Sequence, residues 1–352
     1  MRTLLVGCGA IGSVMAAELT RAGRDLTVVT GNTETRDRIR ERGLQIRDLK
    51  GEWSVRLPRD PVARASELVG APPFDACLVA TKTTTLEEAV REALPLLSPD
   101  ASVVCLQNGL PEERVAAIVG VERVVGCVVG WGATLLGPGQ SARTSRGGLQ
   151  LGCLRGGREA AVGRVAALLG GPFETHIVED LIGVRWSKLA INCATSTLGA
   201  VGGDTLGRLL SHRFVRRLAL EVWAEICAVA RALGVRLGRV SGTLDIEQLA
   251  LTERERRQRI GSLSLVVKHA VLYAVGMKFR RMRSSMLVAL ERGRRPEVDW
   301  LNGEVVRRGA QAGVSTPLNS ALVELVHAIA AQRQRSGLDT LRAFYEHHVA
   351  SA

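Results

Sequence analysis

A glycine-rich turn near the N-terminus constrains the fold of this chain more than any other feature. It lies between an apolar run with strand character at residues 3–6 and a helix-periodic segment at residues 11–22. The turn has the pattern G-x-G-x-x-G and consists of Gly7, Cys8, Gly9, Ala10, Ile11 and Gly12. A dinucleotide-binding α/β sheet begins with a strand, such a turn and a helix in this order. The alternative is that the glycines form a structural turn in another kind of α/β domain.

Each glycine of the pattern has its own task in such a unit. Gly7 allows the tight turn, Gly9 lets a pyrophosphate approach the backbone, and Gly12 lets the helix pack on the strand. The helix N-terminus adds unpaired N–H groups and a partial positive charge, both of which favour a diphosphate. We therefore expect the six residues of the turn to bind a dinucleotide cofactor.

The first half of the chain alternates short β-branched runs with helix-periodic segments, which is typical of a parallel α/β sheet. The residues between 130 and 157 are rich in Gly and Arg, and we expect antiparallel strands and turns there. The predicted strands are residues 3–6, 26–30, 76–80, 102–106 and 124–129, and the predicted helices are residues 11–22, 86–94 and 160–169.

Helical periodicity dominates the second half. Apolar residues recur at steps of three or four between Val215 and Leu233, and Thr316-Pro317 predicts a helix start with Thr316 as its cap. The charged run at residues 254–259 is expected to be a solvated helix face. We predict an α/β protein with a Rossmann-type dinucleotide-binding domain at residues 1–178 and an all-α domain at residues 179–352.

Composition restricts the classes of partner. Hydrophobic residues make up 46% of the 352 residues, and charged side chains interrupt the apolar runs before they reach the ~20 residues of a membrane span. The net charge of +12 is carried almost entirely by Arg, and aromatic residues are only 3%, which does not favour a base-stacking surface. We expect neither a nucleic-acid nor a membrane partner, and the basic charge favours anionic small molecules.

The seven cysteines are scattered and form no CxxC or CxxH pair. This distribution indicates a reduced, cytoplasmic chain without a disulfide framework and without a metal site. Most of the thiols are expected to be small buried apolar groups.

The end of the second predicted strand bears on the choice of cofactor. An NAD site usually has an Asp or Glu there to hold the ribose hydroxyls. This chain has Thr30, Gly31, Asn32 and Thr33, with no acid before Glu34, and two arginines follow at positions 36 and 38. The pattern favours the 2′-phosphate of NADP(H); the alternative is that the arginines are exposed helix residues.

Five motifs in sequence order resemble the ketopantoate reductase (2-dehydropantoate 2-reductase) family over nearly the whole chain. They are residues 7–12, 79–82, 107–109, 186–193, and 284–287 followed by 296–303. The resemblance implies a cytoplasmic NADPH-dependent reduction of 2-dehydropantoate to pantoate, a step of pantothenate and coenzyme A biosynthesis. NADPH would supply the hydride, and no metal would be needed.

The resemblance also assigns roles to individual residues. It implies that Lys188 is the general acid. The implied cofactor-binding residues beyond the glycine turn are Lys82, Asn108, Gly132 and Glu297, although Glu297 could instead steady the Lys188 ammonium. The implied substrate-binding residues are Asn108, Lys188, Asn192, Ser196 and Ser285.

The residue types fit these roles. Lys188 and Asn192 are spaced i, i+4 and share a helix face. A Lys in an apolar helix needs a partner or a function, unless its ammonium reaches the surface. An ammonium near a reduced ketone stabilises and protonates the alkoxide. Lys82 and Asn108 follow predicted strands, where the ligand crevice of an open α/β sheet lies, although each could also be a capping residue.

The chain departs from the family pattern on the substrate side. Ser196 stands where the family commonly has a second Asn, and Ala289 stands where it commonly has an Asp. A reductase of the same build acting on a different 2-oxo acid is therefore the first alternative, and a cofactor-binding regulator without catalysis is the second. The segment at residues 240–283 looks longer than in compact members, and its helices are candidates for a homodimer interface.

Overall fold

A computed structural model of the chain describes residues 1–239, 244–257 and 262–350. It divides into two compact units, Met1–Leu181 and the described residues from Ile182 onward. The predicted domain boundary between residues 178 and 179 lies just before the helix that begins at Leu181.

Eleven strands lie in the described part of the first unit. They are β1 Thr3–Val6, β2 Leu26–Val29, β3 Leu44–Arg47, β4 Glu52–Val55, β5 Phe74–Val79, β6 Leu97–Cys105, β7 Val124–Val129, β8 Ala133–Gly137, β9 Gln140–Arg143, β10 Leu149–Gly152 and β11 Thr175–Ile177. The helices of this unit are α1 Ala10–Arg21, α2 Thr33–Arg42, α3 Leu86–Ala93, α4 Glu112–Val119 and α5 Glu159–Leu169. Short 3₁₀ turns occur at Ala65–Leu68, Thr83–Thr85, Leu94–Leu96 and Val121–Arg123.

Seven strands form the main sheet in the order β11-β10-β7-β6-β5-β1-β2. All neighbours are parallel except β10, which runs antiparallel to β7. Alternate residues of β1 enter separate apolar clusters, Leu5 in one and Leu4 and Val6 in the other. Both faces of the sheet are thus covered, which is why its central strands are uninterrupted apolar runs. The predicted α/β class is confirmed.

A second, four-stranded sheet has the order β4-β3-β9-β8 and packs against α1. The predicted antiparallel pairing between residues 130 and 157 is present as the β8–β9 hairpin and the β7–β10 pair. The sequence patterns do not predict β3, β4 and β11. Strand β9 pairs in parallel with β3, a contact between segments far apart in sequence that no local pattern predicts.

The second unit is helical throughout its described residues, as predicted. Its helices are α6 Leu181–Gly202, α7 Leu206–Ser211, α8 Arg213–Ala232, α9 Ile246–Leu249, α10 Glu253–Arg257, α11 Leu263–Lys278, α12 Ser285–Glu291, α13 Asn302–Ala312, α14 Pro317–Ala330 and α15 Leu338–Tyr345. A 3₁₀ turn at Val298–Trp300 and a π turn at Glu346–Ala350 complete it. In the described parts of the chain, no helix combines the length and apolarity that crossing a membrane requires.

Two details of the helical unit correct the sequence analysis. Helix α14 begins with Pro317 as predicted, but the side chain of Thr316 makes no capping hydrogen bond. The cap is the buried carboxylate of Glu225, which accepts from the N–H groups of Leu318 at 2.9 Å and Asn319 at 3.0 Å. The charged run at residues 254–259 was expected to be a solvated helix face, but Glu255 is buried and pairs with Lys268. Residues 258 and 259 of this run lie outside the described residues.

Candidate active site

The glycine turn between β1 and α1 is tightly packed at two positions and open at the third. Gly7 has φ +101°, and a Cβ there would lie 2.7 Å from the backbone nitrogen of Thr81. A Cβ on Gly12 would lie 1.9 Å from the Gly7 carbonyl oxygen. A Cβ on Gly9 would meet no atom within 4 Å. The first and third glycines thus allow strand and helix to approach each other, and the second leaves space above the backbone.

Helix α1 begins without a side-chain cap. Its N-cap residue is Gly9, and its first turn contains no acidic residue. Free N–H groups at a helix start, next to open space, favour an anion such as a diphosphate. Burial raises the pKa of the Cys8 thiol to about 11, with a smaller opposing effect from Ser13, so the thiol stays neutral and serves packing.

The segments that follow β5 and β6 are tied together at the edge of the sheet beside the glycine turn. The Gln107 side-chain amide donates to the carbonyl oxygens of Val79 at 3.0 Å and Thr81 at 3.2 Å. The Thr81 hydroxyl is buried and has no hydrogen-bond partner among the described residues. Lys82 is exposed and Asn108 is half-buried at the same edge. The edge of the sheet beside the glycine turn therefore carries an unsatisfied Thr81 hydroxyl, followed in the chain by Lys82, and Asn108 after the neighbouring strand.

Gly132 follows β7, the next strand of the sheet. Its N–H donates to the Ser145 hydroxyl at 2.8 Å, and a Cβ on it would lie 2.7 Å from the Thr144 hydroxyl. The backbone N–H of Gly132 is therefore already used within the protein. Its assignment to the cofactor stays a prediction.

The end of β2 is polar and carries no acid at positions 30–33. The Thr30 hydroxyl donates to the Asn32 carbonyl at 2.7 Å, and the Asn32 side chain accepts from the N–H of Thr35, which caps α2. Arg36 pairs with Asp37 at 2.8 Å, and Arg38 pairs with Glu41 at 3.1 Å. Both arginines thus have carboxylate partners that a cofactor phosphate would have to compete with.

In the second unit, α6 places three of the predicted site residues on one face. Lys188, Asn192 and Ser196 follow one another at steps of four residues; the first two are half-buried and Ser196 is buried. Gly199 continues this face, and a Cβ there would lie 2.8 Å from the Cβ of Ser284. The start of α12 therefore packs on the same face of α6, close to Ser196.

The two serines at the start of α12 have different tasks. Ser284 is buried and accepts from the N–H of Leu287 at 3.0 Å, so it caps the helix. Ser285 is exposed at the first helical position. Ser285 thus directly follows the residue that packs on Gly199 of α6, and its hydroxyl lies outside the capping bond.

Glu297 is half-buried and immediately precedes the 3₁₀ turn at Val298–Trp300. The following helix starts at the fully buried Asn302, whose side-chain oxygen accepts from the Thr197 hydroxyl at 2.5 Å. The Asn302 amide donates to the Cys193 carbonyl at 3.4 Å. This side chain therefore fixes the segment that carries Glu297 to α6. Asn302 belongs to one of the sequence motifs, but the motif alone does not predict this anchoring role.

The polar contacts continue away from α6 as a buried chain. Asn302 donates to the Asn319 side chain at 2.9 Å, and Asn319 donates to Glu225 at 2.7 Å. Burial raises the pKa of Glu225, and hydrogen bonds from Asn319 and Leu318 act in the opposite direction. We call Thr197, Asn302, Asn319 and Glu225 the buried relay. It links α6, α13, α14 and α8, and only its Asn302 belongs to a motif found in the sequence.

Comparisons with known proteins cover both units. The family model described as ketopantoate reductase PanE/ApbA matches residues 3–156, and the model of its C-terminal domain matches residues 180–330. A 2-dehydropantoate 2-reductase of Pyrococcus horikoshii is 28% identical over 330 residues, covering 93% of this chain and 97% of the relative. A 2-dehydropantoate 2-reductase of Caulobacter vibrioides is 30% identical over 331 residues, covering 93% of this chain and 98% of the relative.

Solved structures agree at the level of the fold. A PanE/ApbA family ketopantoate reductase from Ralstonia eutropha superposes with a TM-score of 0.78 at 26% identity, covering 95% of this chain and 100% of that one. A D-mandelate dehydrogenase in complex with NADH and anilino(oxo)acetate gives a TM-score of 0.79 at 24% identity, covering 94% of this chain and 99% of that one. The second likeness concerns the fold alone.

Proposed function

The chain belongs to the ketopantoate reductase family, a family of oxidoreductases, and from this premise we propose that it reduces 2-dehydropantoate to pantoate with NADPH. The reaction would be a step of pantothenate biosynthesis in the cytoplasm. The observation that carries the proposal is the row of Lys188, Asn192 and Ser196 on α6, against which the start of α12 with Ser285 packs at Gly199. An ammonium, an amide and two hydroxyls on one surface suit a small anion that has a carbonyl to be reduced.

The first unit fits the proposed cofactor. The open space over Gly9 and the uncapped start of α1 suit the diphosphate, and Lys82, Asn108 and the Thr81 hydroxyl suit further phosphate and ribose groups. Bound NADPH would supply a hydride to the carbonyl carbon of the substrate. The absence of an acid at positions 30–33 supports NADPH over NADH, because a carboxylate there would repel the 2′-phosphate.

In the proposed mechanism Lys188 is the general acid. Addition of hydride to the ketone leaves the oxygen as an alkoxide, and the Lys188 ammonium donates its proton to that oxygen. Asn192 and Ser285 would hydrogen-bond the substrate's carboxylate or hydroxyl groups and hold the carbonyl next to the ammonium. Glu297 would hold either the cofactor ribose or the ammonium.

A different 2-oxo acid is the second candidate substrate. Ser196, shorter than an Asn, is buried in the row, and Ala289 lies one turn after Ser285 on the same face of α12. Both positions reduce the number of hydrogen bonds available to a hydroxylated substrate. This surface is therefore compatible with a more apolar substituent on the oxo acid.

Steady-state oxidation of NADPH by a panel of 2-oxo acids tests the proposal, with NADH measured in parallel. We expect the highest kcat/KM for 2-dehydropantoate and a clear preference for NADPH. A higher kcat/KM for an apolar oxo acid would select the second candidate. NADPH binding without turnover on any oxo acid would reject both in favour of a non-catalytic cofactor-binding protein.

A further inference from the structure

The order of the strands in the main sheet reverses at β1. Strand β2 lies on one side of β1, and β5, which comes later in the chain, lies on the other side. In an open α/β sheet, the ligand crevice lies outside the carboxyl ends of the strands at such a reversal. The glycine turn follows β1 and Lys82 follows β5, so these two predicted cofactor-binding segments flank the crevice.

Lys82 lies in a short connection, residues 81–85, which we call the Lys82 loop. The start of this loop packs directly on the glycine turn, because a Cβ on Gly7 would lie 2.7 Å from the Thr81 backbone nitrogen. The Lys82 side chain is exposed and forms no ion pair in the described parts of the chain. Its ammonium is therefore available to an anionic group of a ligand.

Gln107 fixes the Lys82 loop from the neighbouring strand. The backbone pairing of β5 with β6 continues to the bond from the Leu106 N–H to the Val79 carbonyl, at 3.1 Å. Beyond this bond, the Gln107 side-chain amide donates to the carbonyls of Val79 at 3.0 Å and Thr81 at 3.2 Å. Gln107 is 5% exposed, so water competes little for these two bonds. The residue immediately before Lys82 is thus tied to the end of β6.

Arg114 of α4 fixes the other side of the loop. Its guanidinium donates to the Thr83 carbonyl at 3.3 Å and also pairs with Glu87 in the first turn of α3. The Lys82 carbonyl accepts from the Thr85 N–H at 3.1 Å. Three successive carbonyls of the loop therefore each have a donor, and the backbone is restrained on both sides of Lys82.

We propose that Gln107 and Arg114 are positioning residues of the cofactor site, which act on bound NADPH through Lys82. They hold the Lys82 backbone in one place, so that its ammonium meets an anionic group of the cofactor without a prior ordering of the loop. A group that is held before binding loses less conformational entropy when it binds. The inference rests on the proposed function for its cofactor, and Arg114 lies outside all the sequence motifs.

A matched pair of bonds at the other end of β6 provides a control. Arg123 donates to the carbonyls of Ala101 at 3.1 Å and Ser98 at 3.0 Å, both in the first part of this strand. Like Gln107, it joins two backbone carbonyls of the first unit. Arg123→Met therefore removes a similar number of hydrogen bonds and leaves the Lys82 loop as it is.

Direct titration with NADPH tests the proposal in the natural chain, in Gln107→Met, in Lys82→Ala and in the double variant. Methionine keeps an unbranched side chain and removes the amide donor. We expect each single variant to raise the Kd about tenfold. The double variant should bind little more weakly than Lys82→Ala alone, because the amide then has no ammonium to position. Arg114→Met should resemble Gln107→Met, and Arg123→Met should keep the natural Kd.

The two backgrounds separate positioning from a general loss of structure. An equal loss of affinity from Gln107→Met with and without Lys82 would overturn the proposal, because independent effects add. If Gln107→Met does not fold, Arg114→Met in the same two backgrounds decides, since the Arg114 side chain is 29% exposed.

Assays with 2-oxo acids on the same proteins distinguish this inference from the proposed function. A natural chain that shows the coupling between Gln107 and Lys82 but reduces no 2-oxo acid would reject the proposed reaction and support the positioning role. Normal turnover of NADPH without the coupling would reject the positioning role alone. A natural chain that does not bind NADPH would reject both.

Discussion

Gly9 and Gly12 lie in the same turn but tolerate a methyl group very differently. A Cβ at position 9 meets no protein atom within 4 Å, whereas one at position 12 would lie 1.9 Å from the Gly7 carbonyl. We therefore expect Gly9→Ala to keep the melting temperature of the natural chain and to lose NADPH affinity by tenfold or more. Gly12→Ala should lower the melting temperature itself.

Thermal melting with and without NADPH, together with a direct binding titration, separates the two effects. The Gly9→Ala variant should melt normally and show a reduced shift with cofactor. Equal NADPH affinity in Gly9→Ala and the natural chain would mean that the space over this glycine does not hold the diphosphate.

At position 188 the expected effect is on the chemical step. Lys188→Ala removes the proposed proton donor and should lower kcat by about 100-fold or more. NADPH affinity should be unchanged, because the glycine turn and its neighbours are intact. Lys50→Ala, at an exposed turn of the first unit, is the control lysine. Turnover within a few-fold of the natural value in Lys188→Ala would remove this residue from the mechanism.

Individual residues were predictable from the sequence where a short motif determines geometry. The glycine turn and the i, i+4 spacing of Lys188 and Asn192 placed these groups correctly on a turn and on one helix face. The task of Ser284, the anchoring by Asn302 and the cap from Glu225 were not predictable, because each depends on a contact between segments distant in sequence. No local pattern marks such contacts.

Helix α6 is held in place by the buried relay, and breaking the relay should affect both stability and kinetics. Asn302→Leu removes the partner of the Thr197 hydroxyl and the donor to the Asn319 side-chain oxygen in a buried interior, while the Asn319 amide keeps its bond to Glu225. The change should reduce the free energy of unfolding by about 2–4 kcal/mol. Thr197→Val removes a single hydrogen bond and should cost about 1 kcal/mol.

Chemical denaturation measures these losses, and kinetics on the folded variants tests whether the relay positions α6. We expect Asn302→Leu to raise KM for the oxo acid while KM for NADPH stays the same. Unchanged stability of Asn302→Leu would show that the relay contributes nothing, and equal changes in both KM values would indicate a general loss of structure.

Glu255 makes the attachment of α10 to α11 dependent on pH. Burial raises the pKa of this carboxyl, but hydrogen bonds from Lys268 and Thr252 outweigh burial and bring the pKa down to about 2. A pKa below the ordinary Glu value means that the stabilisation is complete at neutral pH and is lost as the pH falls from about 4.5 towards 2. The stabilisation from this shift is on the order of 3 kcal/mol.

Denaturation curves at neutral and acidic pH test this linkage. The natural chain should lose more stability between pH 6 and pH 3 than Glu255→Gln, which has no charge to lose. Asp100→Asn is a control, because the Asp100 side chain is 81% exposed. Parallel pH profiles for the natural chain and Glu255→Gln would contradict the assigned role.

Among the helices and strands, the sequence predicts those in which the order of apolar and polar residues along the segment itself indicates which residues are buried. The central strands of the main sheet are apolar on both faces, and α8 and α14 have regular helical periodicity, so the sequence predicts them. Strands β3 and β4 are short, with partly exposed residues, and they depend on pairing with each other and with β9. Their stability comes from partners that a local pattern does not reveal.

Across the whole molecule, the net charge of +12 should accelerate encounter with anionic ligands. Both 2-oxo acids and NADPH are anions, so kcat/KM should fall several-fold as ionic strength rises from low to above physiological values, while kcat changes little. A neutral osmolyte at matched viscosity is the control. Salt-independent kcat/KM would show that the arginines do not steer the ligands.

The pairing of β3 with β9, and of β10 with β11, has a consequence for biosynthesis. The first unit uses residues up to Ile177 to complete its sheets. A nascent chain that ends before Leu149 lacks β10 and β11 of the main sheet, and one that ends before Gln140 also lacks the partner of β3. Closure of such long loops makes folding slow. Synthesis must therefore pass Ile177 before both sheets of the first unit can be complete.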